Sequence, residues 1–564
     1  MTAPRPLRVG VLVDGFEQPA WIVGALRELV DAGVAEIALV VLNATDPYAT
    51  PTPIRSFPQR VANWWRQRDV LPYIAYRRFD HRRYVRAGDP ESPEDATGLF
   101  AGVPVVRVAP RMTKFCDYFD DAAVAEIRAH DLDVVLRFGF RILKGQALHI
   151  ARYGVWSFHH GDNTRNRGGP AGFWEVMDAE PVTGAVLQVL SEELDAGLVL
   201  ARSFSSTDAL SVTANKRNYY WQAAPLLVST LRELHARRDA LLDETRAATT
   251  WSAYGERLFV APGGGEMLRL MARLARRLLS RVWRAKTTQE QWILAYRASK
   301  SVPGAGNVPD GAPHRFKELV PPKDRFWADP IPAVADGRRY IFFEEYFFGT
   351  PHAHICVTEI DDRGNASPPR RVLERPYHLS YPFVFAWNGA WYMIPETLQQ
   401  RAVELYRATR FPDEWTFERT MLSDIAAVDA TVVEIEGRWW MFVGVTPDGA
   451  IEASALHIYH ADTPLGPWTP HARNPLKIDV RTARPAGPLF QHNGQWYRPA
   501  QYGAPVYGSA TVVMRIDELT PSTFRETEVS RLTPTWRPGL NGTHTLAAAG
   551  GLTVIDARQV RRKF

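Results

Sequence analysis

One short unit recurs five times in the second half of the chain, and it limits the fold more than any other feature. An apolar strand, a tight turn and an aromatic strand appear as ADPIPAVADGRRYIFF, SYPFVFAWNGAWYMIPE, DATVVEIEGRWWMFVG, AGPLFQHNGQWYRPAQ and THTLAAAGGLTVID. The second turn residue is Gly337, Gly389, Gly437, Gly494 and Gly551, at spacings of 52, 48, 57 and 57 residues. Two-residue hairpin turns need positive φ, which glycine adopts without strain, and Trp and Tyr suit the strand that follows. A hairpin unit returning about every fifty residues is the signature of a propeller blade. The five units predict an all-β five-bladed β-propeller over 314–564. A β-sandwich with unrelated hairpins is the alternative these residues leave open.

The first half has a different rhythm. RVGVLV (8–13) reads as a buried strand, PAWIVGALRELVDAG (19–33) as a helix ending at Gly33, and IALVVLN (37–43) as a second buried strand. Strand, helix and strand in that order predict a parallel α/β sheet. Further strands are expected at 103–108, 133–139 and 154–159, with a helix at about 120–130. The polar and aromatic insertion at 45–100 shows few clear elements. The expected organisation is an α/β domain over 1–205, a helical connector over 206–300, a Gly/Pro-rich linker at 301–313 and the propeller over 314–564.

Within the connector, 218–244 reads as a closing helix and MLRLMARLARRLLSRVWRAK (267–286) as a strongly amphipathic one. Met267, Leu270, Met271, Leu274, Leu278, Val282 and Trp283 share one face against six arginines. A basic amphipathic helix either lies on an anionic membrane surface or packs its apolar face on its own protein. Both readings stay open at this point.

Composition narrows the function classes. The chain has 564 residues, 67 basic and 62 acidic side chains and a net charge of +5. That balance gives no reason to expect a nucleic-acid partner. Two cysteines, Cys116 and Cys356, make neither a disulfide framework nor a four-thiolate zinc site, and no metal is expected. No leader peptide is apparent, and no uncharged apolar run reaches the roughly 18 residues of a membrane span. A cytoplasmic location is expected, with membrane contact confined to 267–286.

The densest polar stretch is GVWSFHHGDNTRNRGGPAGFWE (154–175), which follows a predicted strand, where open α/β sheets bind ligands. Further on, TGAVLQVLSEELDAG (183–197) carries Asp195 in a turn. A carboxylate orients an imidazole and stabilises its protonated form, so a His–Asp pair suits proton handling at an attacking amine. This segment resembles the catalytic core of the formyltransferase family, which includes methionyl-tRNA, glycinamide-ribonucleotide and sugar-amine formyltransferases. The family's histidine falls on His159, its Arg-Gly on Arg167-Gly168, and its Thr-Gly and Leu-Asp-x-Gly on Thr183-Gly184 and Leu194-Asp195-Ala196-Gly197. Where the family has asparagine two residues before the histidine, this chain has Ser157. The family's Ser-Leu-Leu-Pro after the histidine is replaced by Gly161-Asp162-Asn163-Thr164.

That resemblance implies a Rossmann-like formyltransferase fold, 10-formyltetrahydrofolate as cofactor, and acyl transfer to an amine. It makes His159 and Asp195 catalytic, with Ser157 at the position of the family's formyl-oxygen donor. His160, Asp162, Asn163 and Arg167 are candidate substrate contacts, and His160 or Asn163 is a candidate replacement for the missing amide.

The propeller half carries a second resemblance. HLSYPFVFAWNGAWYMIPE, ELYRATRFPDEW, DATVVEIEGRWWMFVG and YHADTPLGPWTPHARNP resemble the N-terminal domain of plant glucosamine inositolphosphorylceramide transferases. That domain is similar to the propellers of family-43-type glycoside hydrolases. The strand pattern alone brings Asp329, Asp429 and His544 near the central axis, with Glu345 and Glu396 close by. By resemblance Asp329 becomes a general base and Asp429 an orienting residue. The expected acid is missing, because Arg484 begins an Arg-Pro-Ala-Gly-Pro stretch where a glutamate should stand. A glycan-binding face is therefore expected.

Together these readings predict formyl transfer to an amine of a sugar or glycolipid precursor, with the propeller recognising the glycan. Two alternatives stand beside it. One is a non-catalytic glycan-binding or assembly protein with a degenerate transferase fold. The other is a glycoside hydrolase using the propeller carboxylates.

Overall fold

The computed structural model describes residues 5–45, 68–249, 254–255, 257–298 and 316–563. The chain divides into two compact units, Met1–Leu278 and Leu279–Phe564.

In the first unit, five strands run parallel in the order Val105–Val108, Ala35–Asn43, Leu7–Val13, Val134–Arg137 and Val155–His159. Val182–Val189 and Leu198–Ser206 then extend the sheet antiparallel. The run LRVGVLV forms the central strand because it is apolar on both faces, as a strand covered on both sides must be. Leu7, Val9, Val11, Leu12 and Val13 are all fully buried. Helix Ala20–Asp31 returns the chain to Ala35–Asn43, Val105–Val108 adds on the same side, and the connection from there to Val134–Arg137 passes to the other side of Leu7–Val13. Such a reversal opens a crevice at the carboxyl ends of the strands, where doubly wound sheets bind ligands. His159 is the last residue of Val155–His159 and sits at that end.

Two expectations for this unit change. The stretch 218–244 is not one helix. Val212–Ala223, Pro225–Arg237 and Asp239–Ala248 are separate helices, because Pro225 has no N–H to continue the ladder and Arg238 takes φ +53°. The insertion at 45–100 contains helix Leu71–Tyr84, whose Tyr73 and Tyr76 pack against Phe173. Arginines and tyrosines alternate along it too irregularly to show a helical period. Residues 46–67 of that insertion lie outside the described residues.

The second unit is a succession of five antiparallel sheets. Four span 325–373, 380–423, 427–479 and 490–532. The fifth joins Leu546–Ala549 and Leu552–Arg562 to Thr288–Ala298 and Lys317–Leu319. This is a five-bladed β-propeller. All five hairpin turns have positive φ at both central residues, from Asp336-Gly337 at +50° and +77° to Gly550-Gly551 at +52° and +76°. Those signs match the twist of the flanking strands. Blades meet through apolar side chains: Trp327 and Phe343 with Leu552 and Val554, Phe342 and Tyr340 with Met393 and Tyr406, Phe442 and Leu456 with Ile516.

Thr288–Ala298 corrects the expected boundary at 314. The sequence assigns these residues to the connector over 206–300, yet they pair along their whole length with Leu552–Arg562. The strand follows helix Gly264–Thr287 without a break, so no turn residue announces it. The linker read at 301–313 lies outside the described residues. Among the described residues no helix is long and apolar enough to cross a membrane.

Candidate functional site

The polar loop after Val155–His159 folds back over the carboxyl end of the parallel sheet. His159 Nδ1 lies 3.3 Å from Asp195 Oδ1, and its Nε2 is 2.8 Å from the carbonyl of Asn166. Asp195 is reached from another strand connection and takes φ +53°. Its second oxygen accepts the N–H of Gly168 at 3.1 Å. Gly168 has φ +94°, and a Cβ there would stand 2.4 Å from the carbonyl oxygen of Phe259. Only glycine lets the loop close this tightly.

Electrostatics follow from these contacts. Burial alone would lower the His159 pKa, but the hydrogen bond and charge of Asp195 and the Asn166 carbonyl outweigh it, and the pKa is raised. For Asp195 burial acts upward, yet His159, the Gly168 N–H and Arg137 hold its pKa below the usual carboxylate range. Both ring nitrogens of His159 thus face acceptors, an arrangement that favours the protonated ring opposite the Asp195 carboxylate. Glu175, also lining the cleft, is pushed up by burial.

Ser157 occupies a place the sequence did not explain. Its Oγ accepts from Arg137 Nε at 3.2 Å and Nη2 at 3.1 Å, and donates to the Phe158 carbonyl at 3.2 Å. Arg137 also donates to the carbonyls of Phe140 and Arg141. A half-buried guanidinium therefore acts on Asp195 of the dyad. Sequence reasoning missed it, because a lone arginine closing an apolar strand carries no motif. The one available signal was the pairing of neighbouring strands that brings 137 level with 157.

Of the remaining predicted contacts, Asp162, Asn163 and Arg167 spend their polar atoms on the protein, and His160 packs among aromatic rings. His160 is buried among Trp21, Phe158, Tyr219 and Tyr220, and burial lowers its pKa to about 3. It is a neutral ring, and its Nδ1 has no hydrogen-bond partner. Asp162 Oδ1 accepts from the N–H and hydroxyl of Thr164. Asn163 accepts from Arg202, and its amide lies 3.4 Å from the Asp195 carbonyl. Arg167 bonds the Asn163 carbonyl and Glu193 and lies over the Tyr254 ring. Asp162, Asn163 and Arg167 thus shape the loop. The cleft they leave beside His159 measures about 10 Å³, room for roughly one water molecule.

In the second unit a buried polar ring ties all five blades at the axis. Asp329 accepts from the Tyr381 N–H at 3.3 Å and the Thr545 hydroxyl at 3.0 Å, and His544 Nε2 is 3.8 Å away. His544 is ion-paired through Nδ1 with Asp556 and stacks on Trp292 at 4.0 Å. Asp429 accepts from Gln501 at 2.8 Å and from Arg484, whose Nη2 also reaches Glu396 at 3.2 Å. Burial raises Asp329 to about 7, partly offset by His544, and burial keeps Glu396 well above the ordinary range despite Arg484. Asp329, Tyr381 and Asp429 all have positive φ at the bulge of an inner strand, at +52°, +42° and +53°. Such strain persists where the surroundings over-determine it.

Glu345 does not join this ring. It accepts from Trp327, Arg325 and His354 within the first blade, contacts that overcome burial and lower its pKa to about 2. Its neighbour Glu344 instead pairs with His378 at 3.1 Å and acts on Asp329. Adjacent strand residues face opposite ways, and the bulge after Ala328 decides which one faces the axis. Donor atoms in Asp329–His544–Asp556 and in Glu345–His354–Cys356 lie within 4.8 Å of one another. Both sets already bond protein groups and read as hydrogen-bond networks.

Residues 317–543 match a known family model. Its description is "Glucosamine inositolphosphorylceramide transferase 1, N-terminal". The protein of that name from Oryza sativa subsp. japonica is 33% identical over 249 residues, covering 42% of this chain and 33% of the relative. The Arabidopsis thaliana protein is 36% identical over 220 residues, covering 38% and 29%. The chain thus spans about a third of the length of these relatives. A "Methionyl-tRNA formyltransferase" from Phenylobacterium zucineum (strain HLK1) is 31% identical over 164 residues, covering 28% of this chain and 51% of that protein. All these relatives are transferases by name. Among solved structures, a GH43_1 enzyme from Xanthomonas citri is 14% identical, covering 42% of this chain and 87% of that one, with a TM-score of 0.32. Zg3597, a family 117 glycoside hydrolase produced by the marine bacterium Zobellia galactanivorans, is 14% identical, covering 48% and 90%, with a TM-score of 0.31. Scores of that size carry no argument about fold or activity.

Proposed function

We propose that the chain is an acyltransferase that formylates an amine on a sugar or glycolipid precursor, with the propeller holding the glycan. The observation that carries this reading is the His159–Asp195 pair, locked by the Gly168 N–H at the carboxyl end of the parallel sheet. The names of the plant relatives join glucosamine to an inositol-phosphate-bearing ceramide. A hexosamine supplies the amine that this chemistry needs.

The donor set suits 10-formyltetrahydrofolate in its charge. Arg137 and His159, which both act on Asp195, would supply positive charge to a formyl oxygen as it gains negative charge, and His160 Nδ1 is buried without a hydrogen-bond partner. When bound, the folate supplies the formyl group. His159 holds a proton at Nε2, and Asp195 fixes the ring and keeps it charged. Arg137 adds positive charge through Ser157, offsetting the shorter side chain at that position. Glu175, its pKa raised, is the cleft carboxyl suited to take a proton from the amine. The Asn166 carbonyl occupies Nε2 in the closed loop and has to yield that position to substrate.

In the axial ring, the Arg484 guanidinium holds both Asp429 and Glu396, so each carboxyl is committed to a protein contact at the position where a glycosidase presents its acid. Glu345 is equally tied. The ring instead offers a rigid polar floor for a sugar.

The test is formation of a formyl amide from 10-formyltetrahydrofolate and a panel of amino sugars and glucosaminyl inositol lipids, followed by mass spectrometry. His159→Ala and Asp195→Asn are each expected to lower kcat by about 100-fold or more with little change in melting temperature. Full activity in a well-folded His159→Ala protein overturns the mechanism. Glycan binding by a wild-type protein that forms no amide supports the binding-protein alternative.

A further inference from the structure

Helix Gly264–Thr287 carries two apolar surfaces, and the fold uses one. Met267 and Leu270, with Leu274 beside them, pack against Tyr73, Phe173, Trp174 and Val212. At 3.6 residues per turn a second stripe runs beside this one, made of Leu268, Met271, Leu278, Leu279, Val282 and Trp283. All six side chains are exposed, between 41% and 70%. The single face expected from the sequence is thus split. Met267, Leu270 and Leu274 turn inward, while the other four members of that face join Leu268 and Leu279 in solvent.

Most of the positive charge on this helix is uncompensated. The helix has seven basic side chains and one acidic one, Glu266. Arg277 is used inward, on the carbonyls of Val176, Met177 and Ala209. Arg273 comes no closer than 4.0 Å to Asp178. Among the described residues no carboxylate pairs with Arg276, Arg281, Arg284 or Lys286. Arg269 and Arg276 border the stripe next to Trp283, and Lys286 stands at its C-terminal end.

We infer that this helix docks the protein on an anionic lipid surface, with the stripe at the headgroup–acyl boundary and the arginines on lipid phosphates. Three features favour lipid as the occupant. The helix is too polar to span a membrane, so it lies along one. Trp283 at the exposed end is the side chain that prefers an interface, with an apolar body and one N–H donor. A second copy of the same helix would bring arginine against arginine along the seam, whereas an anionic surface complements them. This inference does not depend on the acyl-transfer reading.

Flotation of the full-length protein with phosphatidylcholine vesicles, with and without phosphatidylserine, tests it. The protein is expected to float only with phosphatidylserine present, to release as salt rises, and to show a blue shift of Trp emission. Arg276→Gln and Lys286→Gln should each weaken binding about fivefold. Leu279→Ser with Trp283→Ser should weaken it at least about tenfold. All four positions are exposed, so melting temperatures should match wild type. Failure to float with phosphatidylserine, or flotation indifferent to both sets of substitutions, overturns the inference. Self-association without lipid that the Leu279/Trp283 variant abolishes, together with no flotation, assigns the stripe to a second copy and also overturns it.

Discussion

His159 and Asp195 hold each other in opposite charge states, and that makes their contribution depend on pH in a definite direction. The His159 pKa is raised in the fold, so its stabilisation is complete below its unfolded value of about 6.5 and is lost as pH rises through the folded value. The Asp195 pKa is lowered, so its stabilisation is complete above about 3.9 and is lost as pH falls through the folded value. The pair therefore contributes most between about pH 4 and 6.5. Asp195→Asn should remove the alkaline decline of first-unit stability that belongs to His159, and its imidazole should titrate at lower pH. Melting curves against pH, with NMR of the His159 ring, check both. An unchanged His159 titration in Asp195→Asn would show that the contact does not set the charge state. Arg137 acts on the same balance through its charge on Asp195, and its bonds to Ser157 explain why a short hydroxyl suits that position.

At the scale of elements, two glycine turns illustrate different demands. Gly389 sits in an open hairpin turn at φ +74° with nothing within 4 Å of a Cβ. Gly389→Ala should cost only the left-handed backbone penalty, about 1–2 kcal/mol. Gly168→Ala adds a collision with the Phe259 carbonyl, breaks the short pairing of Arg167–Gly168 with Leu258–Phe259, and pulls an N–H from Asp195. It should cost more than Gly389→Ala and also lower activity, and denaturant melts beside the amide assay would separate the two effects. Local pattern carries the turns: Asn-Gly and Asp-Gly state their geometry in two residues, so the blade positions were legible. His159 and Asp195 were singled out through the resemblance to the formyltransferase core, and the fold brings them within 3.3 Å of each other. Arg137, the Glu344–Glu345 alternation and the inward roles of His160 and Asp162 were not legible. Each depends on which strands become neighbours, or on a bulge that turns one residue toward the axis, and no local pattern encodes either.

The propeller as a whole depends on a strand that lies outside its own repeat. Thr288–Ala298 closes the ring against Leu552–Arg562, and its Trp292, Ile293, Leu294, Ala295 and Tyr296 are all buried. Leu294 and Tyr296 pack with Trp327 of the first blade, and Ala295 packs with Tyr497 and Val513 of the fourth blade. Gln291 donates to the carbonyls of Pro322 at 2.8 Å and Arg325 at 2.7 Å, while Trp292 covers His544. Burying a large apolar side chain contributes about 1.5–3 kcal/mol, and Trp292, Ile293, Leu294 and Tyr296 together approach the roughly 5–15 kcal/mol that stabilises a whole domain. A fragment starting at 314, where the repeat begins, should therefore fail to fold cooperatively. It leaves the edge of Leu552–Arg562 unpaired and opens the axial ring at His544. A fragment starting at 279 should melt in one transition. Near-UV circular dichroism of the two fragments, with heating, decides the matter. Cooperative melting of 314–564 at the temperature of 279–564 would mean that the blades hold without their closing strand.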